Sequence, residues 1–451
     1  MSSSTPSFQS LGIGRPLRDV LSKMNITTPT PVQAACIPPT LAGKSIIGAA
    51  PTGSGKTAAY ALPILQMLSR DPFGVFALVL TPTRELALQI REQFLVFGSV
   101  MGLRCTALIG GNDHTAQLVE LTDNPHVVIA TPGRLLERLR TNESDFRLAR
   151  LRVLVLDEAD RLISQKFHTE LNGILQKLPP SAQRQTLYFS ATMTPSLDRM
   201  MQISAAPPFR FDQSPLQPLA VVREVTQRFV CVPERAKICY LVYALRTMIE
   251  QNPKNQAIVF SSTCRRAQQL AMALDRLDIK TAPLHSMLPQ KVRTRSLGEL
   301  RSGSLRVLSA TDVAARGLDI AGVNLVVHLD LPDEAASYVH RTGRTARAGR
   351  FGEALAIVTP REMHAMRALE QQIGSTLREW TVDNEDVRYH VREAVTAWRL
   401  ANAALTDTGF DDRLQVRVDR KRQAQGDAGD DKDDEGVKVR RQDAQEATPE
   451  D

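Results

Sequence analysis

The stretch "APTGSGKT", Ala50 to Thr57, sets two glycines, a lysine and a hydroxyl residue just ahead of the helix-like run "AAYALPILQML". Gly53 and Gly55 free the backbone so that its N–H groups can wrap a phosphate. Lys56 brings a cation to the β/γ-phosphates, and Thr57 offers a hydroxyl to Mg²⁺. The strict phosphate-loop pattern begins with Gly, where this chain has Ala50. Ala50, Pro51, Thr52, Gly53, Ser54, Gly55, Lys56 and Thr57 are therefore the candidate nucleotide loop. A second knot of chemistry lies in "VLVLDEADRL", Val153 to Leu162, where aliphatic residues run straight into Asp157, Glu158 and Asp160. Buried carboxylates are costly unless a cation meets them. In open α/β sheets ligands sit at the carboxyl ends of strands. Asp157 is accordingly assigned to the metal and Glu158 to the attacking water. A helix N-cap is the plainer use of an acid here, and for Asp160 that use stays open.

Such residues need strands to hold them. Apolar runs recur at Ser45–Ala50, Val75–Leu80, His126–Ala130, Arg152–Leu156 and Thr186–Ser190. They return at Gln256–Phe260, Leu305–Ala310, Asn324–Leu329 and Ala354–Val358. Helical patterns separate them, which predicts βαβ units and parallel sheets. The reading is an α/β protein with two such domains in tandem. An N-terminal segment occupies 1–35, the first domain 36–210, a linker 211–222 and the second domain 223–375. The linker falls in the Pro-rich "APPFRFDQSPLQP", Ala206 to Pro218. A helical extension follows over 376–410, with Val387, Val391, Val395, Trp398 and Ala401 at helical spacing for packing on the second domain. Residues 411–451 are charged and aromatic-poor, the composition of a disordered tail.

Formal net charge is +7, from 56 basic and 49 acidic residues. The last 41 residues hold 9 basic and 13 acidic side chains, so the first 410 carry +11. A basic body suits an anionic partner such as nucleic acid. The five cysteines are scattered and odd in number, which excludes a disulfide framework and a finger-type zinc site. No signal-peptide pattern opens the chain and no run is long and apolar enough to span a membrane, so a soluble intracellular protein is expected.

With "DEAD" at Asp157–Asp160 behind the phosphate loop, the sequence resembles a DEAD-box RNA helicase. The likeness runs from Phe8 to about Ile373, through "TTPTPVQ" (Thr27–Gln33), "PTRELA" (Pro82–Ala87), "GG" (Gly110–Gly111), "TPGR" (Thr131–Arg134) and "SAT" (Ser190–Thr192). It continues with "IVFSST" (Ile258–Thr263), "QKVR" (Gln290–Arg293), "TDVAARGLD" (Thr311–Asp319) and "HRTGRTAR" (His340–Arg347).

The resemblance implies two RecA-like domains and an RNA-dependent ATPase that closes around ATP and Mg²⁺. It places Gln33 on adenine with Phe8 beside it, and Asp319 on the ribose. Arg344 and Arg347 become arginine fingers that complete catalysis from the second domain, alongside Lys56, Asp157 and Glu158. Ser190, Ala191, Thr192 and His340 would couple hydrolysis to unwinding. Arg84, Gly111, Thr131, Gly133 and Arg134 would hold the RNA backbone with Arg293, Thr311 and Asp312, without reading bases.

"LHSMLPQ", "QRFVCVPERAK" and "HRTGRTARAGR" resemble the eukaryotic nucleolar subgroup that assembles the small ribosomal subunit. This implies pre-ribosomal RNA as partner, a monomer in the nucleus and nucleolus, and room for a protein activator. The alternatives are a cytoplasmic relative acting on messenger RNA or translation, and an ATP-dependent RNA clamp with little turnover. Three residues depart from the family pattern: Asn25 and Ala346, where many relatives have Gly, and Thr342, where the position is often apolar.

Overall fold

The structure is a computed structural model describing residues 6–51, 53–111, 114–141, 148–164, 167–191, 193, 207–213, 225–312, 323–346, 351–416 and 419. Two seven-stranded sheets, parallel throughout, carry the two halves. The first contains β1 (Ile46–Ala49), β2 (Ala77–Leu80), β3 (Cys105–Leu108), β4 (Val127–Ala130), β5 (Val153–Asp157), β6 (Gln185–Ser190) and β7 (Phe209–Asp212). The second contains β8 (Val225–Cys231), β9 (Ala257–Phe260), β10 (Thr281–Leu284), β11 (Val307–Ala310), β12 (Leu325–His328), β13 (Gly352–Val358) and β14 (Arg378–Glu379). Their spatial orders, β3-β4-β2-β5-β6-β1-β7 and β10-β11-β9-β12-β13-β8-β14, are the same permutation. The second half thus repeats the first strand for strand.

The aliphatic runs explain the layers. Side chains alternate along a strand, so Ala77 and Val79 join one core cluster while Leu78 and Leu80 join another on the opposite face. Both faces are covered, as a parallel sheet requires. Strand β7 lies inside the stretch taken for a linker, and its last two residues fall within 211–222. It pairs with β1 as an edge strand, which tolerates the preceding prolines because little of the ladder depends on them. Strands β3, β8, β10 and β14 belong to no apolar run picked out above. Strand β10 contains Pro283 and three half-buried residues, which dilutes the pattern.

A 24-residue helix, Asn384–Asp407, lies across the helices Lys237–Gln251 and Cys264–Asp275. Ala394, Ala397 and Ala401 are small enough for close approach and are fully buried or nearly so. Val387 is buried with them, but Val391 is 40 % exposed and lines an open cavity beside the start of the helix Lys237–Gln251. Residues 410–416 are helical, with Phe410 edge-on to His285 and Asp411 paired to Arg265 at 2.7 Å. The rest of the tail, apart from Asp419, lies outside the described residues. Among the described residues no helix is long and apolar enough to cross a membrane.

Candidate nucleotide and RNA site

Strand order sorts the motifs. Adjacent strands β5, β6 and β1 end in Asp157, Ser190 and the phosphate loop, so those three stand side by side at one sheet edge. On the other half, β2 leads to Arg84, β4 to Thr131 and β3 to Gly110–Gly111. Nucleotide chemistry and the RNA candidates therefore occupy two halves of the same carboxyl edge.

In the loop, Gly53 and Gly55 have φ of +83° and +89°, the left-handed region that glycine enters without strain. A Cβ on Gly53 would meet nothing within 4 Å, so an open cradle lies on that side. The Lys56 ammonium donates to the carbonyls of Ala50 (2.6 Å) and Pro51 (3.4 Å) inside the loop. Burial pulls its pKa down, and Asp157, Glu158 and Asp160 pull it back up. Ser54 Oγ is buried with no partner, a polar atom that a phosphate oxygen would satisfy. Gln33 donates to the carbonyl of Gly55 at 3.1 Å and accepts from the N–H of Thr30 at 3.0 Å. It ties its segment to the loop and keeps a second amide hydrogen for a base edge. Phe8 is buried in the first core.

The acidic residues take three different states. Asp157 is 4 % exposed, and burial pushes its carboxyl up to about 6 against the pull of Lys56. Its Oδ2 accepts from the Tyr60 hydroxyl at 2.9 Å and its Oδ1 from the Glu158 N–H at 3.0 Å. Glu158 sits at φ +51°, a strained conformation for a residue with a Cβ. Burial raises its pKa, but Arg161, His340 and Arg344 together hold it below the usual carboxylate value. Its Oε2 accepts from Arg161 at 3.1 Å. Asp160 is raised by burial and by Glu158, and a hydrogen bond with Ser190 opposes that rise. Thr57 and Asp157 are hard oxygen donors suited to Mg²⁺. No set of three His, Cys, Asp or Glu forms a metal cage among the described residues, so water and phosphate would complete the shell.

The second domain closes over this edge. Arg344 is 1 % exposed and near enough to act on both Lys56 and Glu158. Its Nε donates to the His340 carbonyl at 3.3 Å. Glu85 accepts from Gln290 at 2.9 Å and from Arg293 at 2.6 Å across the cleft. Arg293 is thus engaged with the first domain. Asp312 is gripped at both oxygens by Arg341, at 2.6 and 2.8 Å. On the RNA half, a Cβ on Gly110 or Gly111 would strike the Arg84 guanidinium at 2.7 or 2.6 Å, so both must be glycine for Arg84 to lie there. Thr131 opens the helix Pro132–Arg140 without capping it, and Gly133 beside it is open on its Cβ side. That leaves helix N–H groups for a phosphate. Arg134 pairs with Glu137 at 2.9 Å. Thr311 Oγ1 is buried without a partner. Ser190 is 1 % exposed and Ala191 half-buried. Thr52, Thr192, Asp319 and Arg347 lie outside the described residues.

Glu85, Tyr60 and Arg341 were not singled out from the sequence. Glu85 stands inside "PTRELA", where an acid amid candidate RNA contacts was the available signal.

Two parallel-sheet domains, one with a phosphate loop and the other lending an arginine to it, define a nucleotide-driven two-domain ATPase. The sequence matches the family model described as DEAD/DEAH box helicase over residues 30–200, and Helicase conserved C-terminal domain over 236–349. It is 42 % identical over 412 residues to the human Probable ATP-dependent RNA helicase DDX49, covering 91 % of this chain and 84 % of that one. It is 43 % identical to the ATP-dependent RNA helicase DBP8 of Eremothecium gossypii, covering 94 % and 99 %. Among solved structures, Mss116p bound to ssRNA and AMP-PNP superposes with a TM-score of 0.79 at 29 % identity, covering 88 % of this chain and 84 % of that one. Dbp5 of S. cerevisiae bound to RNA and ADP BeF3 gives 0.75 at 26 %, covering 86 % and 99 %. The chain belongs to the DEAD-box helicase family and is an RNA-dependent ATPase of that class.

Proposed function

We propose that this enzyme remodels pre-ribosomal RNA during small-subunit assembly, in the nucleus and nucleolus, working as a monomer that a protein activator can stimulate. ATP rests in the phosphate loop with its base at Gln33 and Phe8 and its ribose at Asp319. Thr57 and Asp157 would hold Mg²⁺, which when bound would supply positive charge beside the transferring phosphate. Glu158 stays ionised and orients the attacking water; its lowered pKa suits positioning better than strong proton abstraction. Arg344 and Arg347 meet the developing charge, so hydrolysis waits for domain closure. Arg84, Gly111, Thr131, Gly133, Arg134, Thr311 and Asp312 contact the RNA backbone, and Arg293 joins them or serves closure alone. Ser190 through Asp160 links the acidic residues to the RNA half, with Ala191, Thr192 and His340.

The observation that carries the catalytic part is Arg344 of the second domain acting on Glu158 and Lys56 of the first. The ribosomal assignment rests on likeness to the DDX49 and DBP8 helicases together with the motif texture. Crosslinking the protein to RNA in cells, with depletion, tests it. Enrichment of pre-ribosomal RNA and loss of small subunits is expected. Enrichment of messenger RNA with normal ribosome profiles would overturn it.

A further inference from the structure

Tyr60 is fully buried on the helix Lys56–Leu68, one turn after Thr57, and takes no part in the mechanism above. Its ring lies 5.2 Å from that of Phe189 and 6.2 Å from that of Phe94, within the apolar cluster of the first domain. A phenylalanine would fill that setting without a hydroxyl to satisfy. The hydroxyl instead donates to Asp157 Oδ2 at 2.9 Å. Asp157 Oδ1 is already fixed by the Glu158 N–H. The Tyr60 bond fixes the second oxygen, so the carboxylate cannot rotate about its Cβ–Cγ bond.

We propose that Tyr60 is a positioning residue that orients the Asp157 carboxylate for Mg²⁺. The inference rests on the assignment of Asp157 to the metal. Partners that orient metal ligands are worth on the order of tenfold or more in metal affinity.

The test is Tyr60→Phe in the full chain, which keeps the ring and removes only the hydroxyl. The readout is ADP affinity with Mg²⁺ and with the metal chelated, each variant being its own control. A stability change then cancels in the difference. Wild type is expected to bind ADP more tightly with Mg²⁺, and Tyr60→Phe to lose about tenfold of that increment with metal-free affinity unchanged. The Mg²⁺ concentration for half-maximal ATPase should rise in parallel, with kcat largely recovered at saturating Mg²⁺. An equal Mg²⁺ increment in both proteins would overturn the role of Tyr60 and leave the metal assignment standing. No increment in the wild type would overturn both.

Discussion

Glu85 of the first domain and Arg293 of the second form a 2.6 Å ion pair whose side chains are only 2 % and 7 % exposed. Gln290 donates to the same carboxylate oxygen at 2.9 Å. Each partner belongs to a different domain, so the pair exists through closure. Removing one partner leaves a buried charge uncompensated, at a cost of about 3–5 kcal/mol.

Arg293→Ala should therefore lower RNA-stimulated ATP turnover by about 100-fold or more, since about 1.4 kcal/mol is tenfold. ATP affinity without RNA should stay put, because the phosphate loop is untouched. Turnover assays with nucleotide titrations decide it; unchanged RNA stimulation would refute the latch.

Ala346 has φ +53° and Asn25 φ +58°, both in the left-handed region. These are two of the three positions at which the sequence departs from the residue that the family resemblance implies, Gly in both cases. Asn tolerates that region through local hydrogen bonding; Ala does not. Ala346→Gly should stabilise the protein by about 1 kcal/mol, and Asn25→Gly should change little. Urea midpoints measure both, and a destabilising Ala346→Gly would contradict the strain argument.

The third departure sits in a buried stack. Thr342 bonds to the His328 ring at 3.1 Å, and that ring lies 4.4 Å from Tyr338 at 19°. Burial, aided by Arg341, holds the His328 imidazole well below its ordinary pKa. The folded chain leaves it neutral, whereas the unfolded chain protonates it below about pH 6.5. Stability from this source is full above that pH and is lost as pH falls, by up to about 1.4 kcal/mol per unit. His328→Asn should flatten the fall in urea midpoint between pH 7.5 and 5.5. An identical slope in both proteins would show that other groups set it.

Glu158→Gln keeps shape and one acceptor oxygen but not the charge. ATP hydrolysis should fall by about 10³-fold, within the range for a positioned acid–base group, while ATP and RNA binding persist. Residual turnover near wild type would move the water-orienting role elsewhere.

Much of the fold and of the candidate site is legible in the sequence. The phosphate loop and Asp157/Glu158 follow from residue type alone, because glycine, lysine and carboxylate have few other reasons to end apolar runs. The central strands β2, β4 and β5 read as unbroken aliphatic runs because both faces are buried. Edge strands do not: β7 alternates between half-buried and exposed residues, and β14 is only two exposed residues. Contacts made by closure were the least legible. The Glu85–Arg293 bond spans 208 positions, and no local pattern pairs those two charges. Likewise, nothing in "AAYALP" says that the Tyr60 hydroxyl meets an acid 97 residues on.

The most direct measurement is steady-state ATP hydrolysis by the full chain, with single-stranded RNA, with single-stranded DNA and with neither, in wild type and Arg344→Ala. Stimulation by RNA but not DNA is expected, with about a 10³-fold or greater loss of turnover in Arg344→Ala and ATP affinity retained. RNA-stimulated turnover that survives in Arg344→Ala, or wild-type turnover indifferent to RNA, would contradict an RNA-driven arginine-finger mechanism.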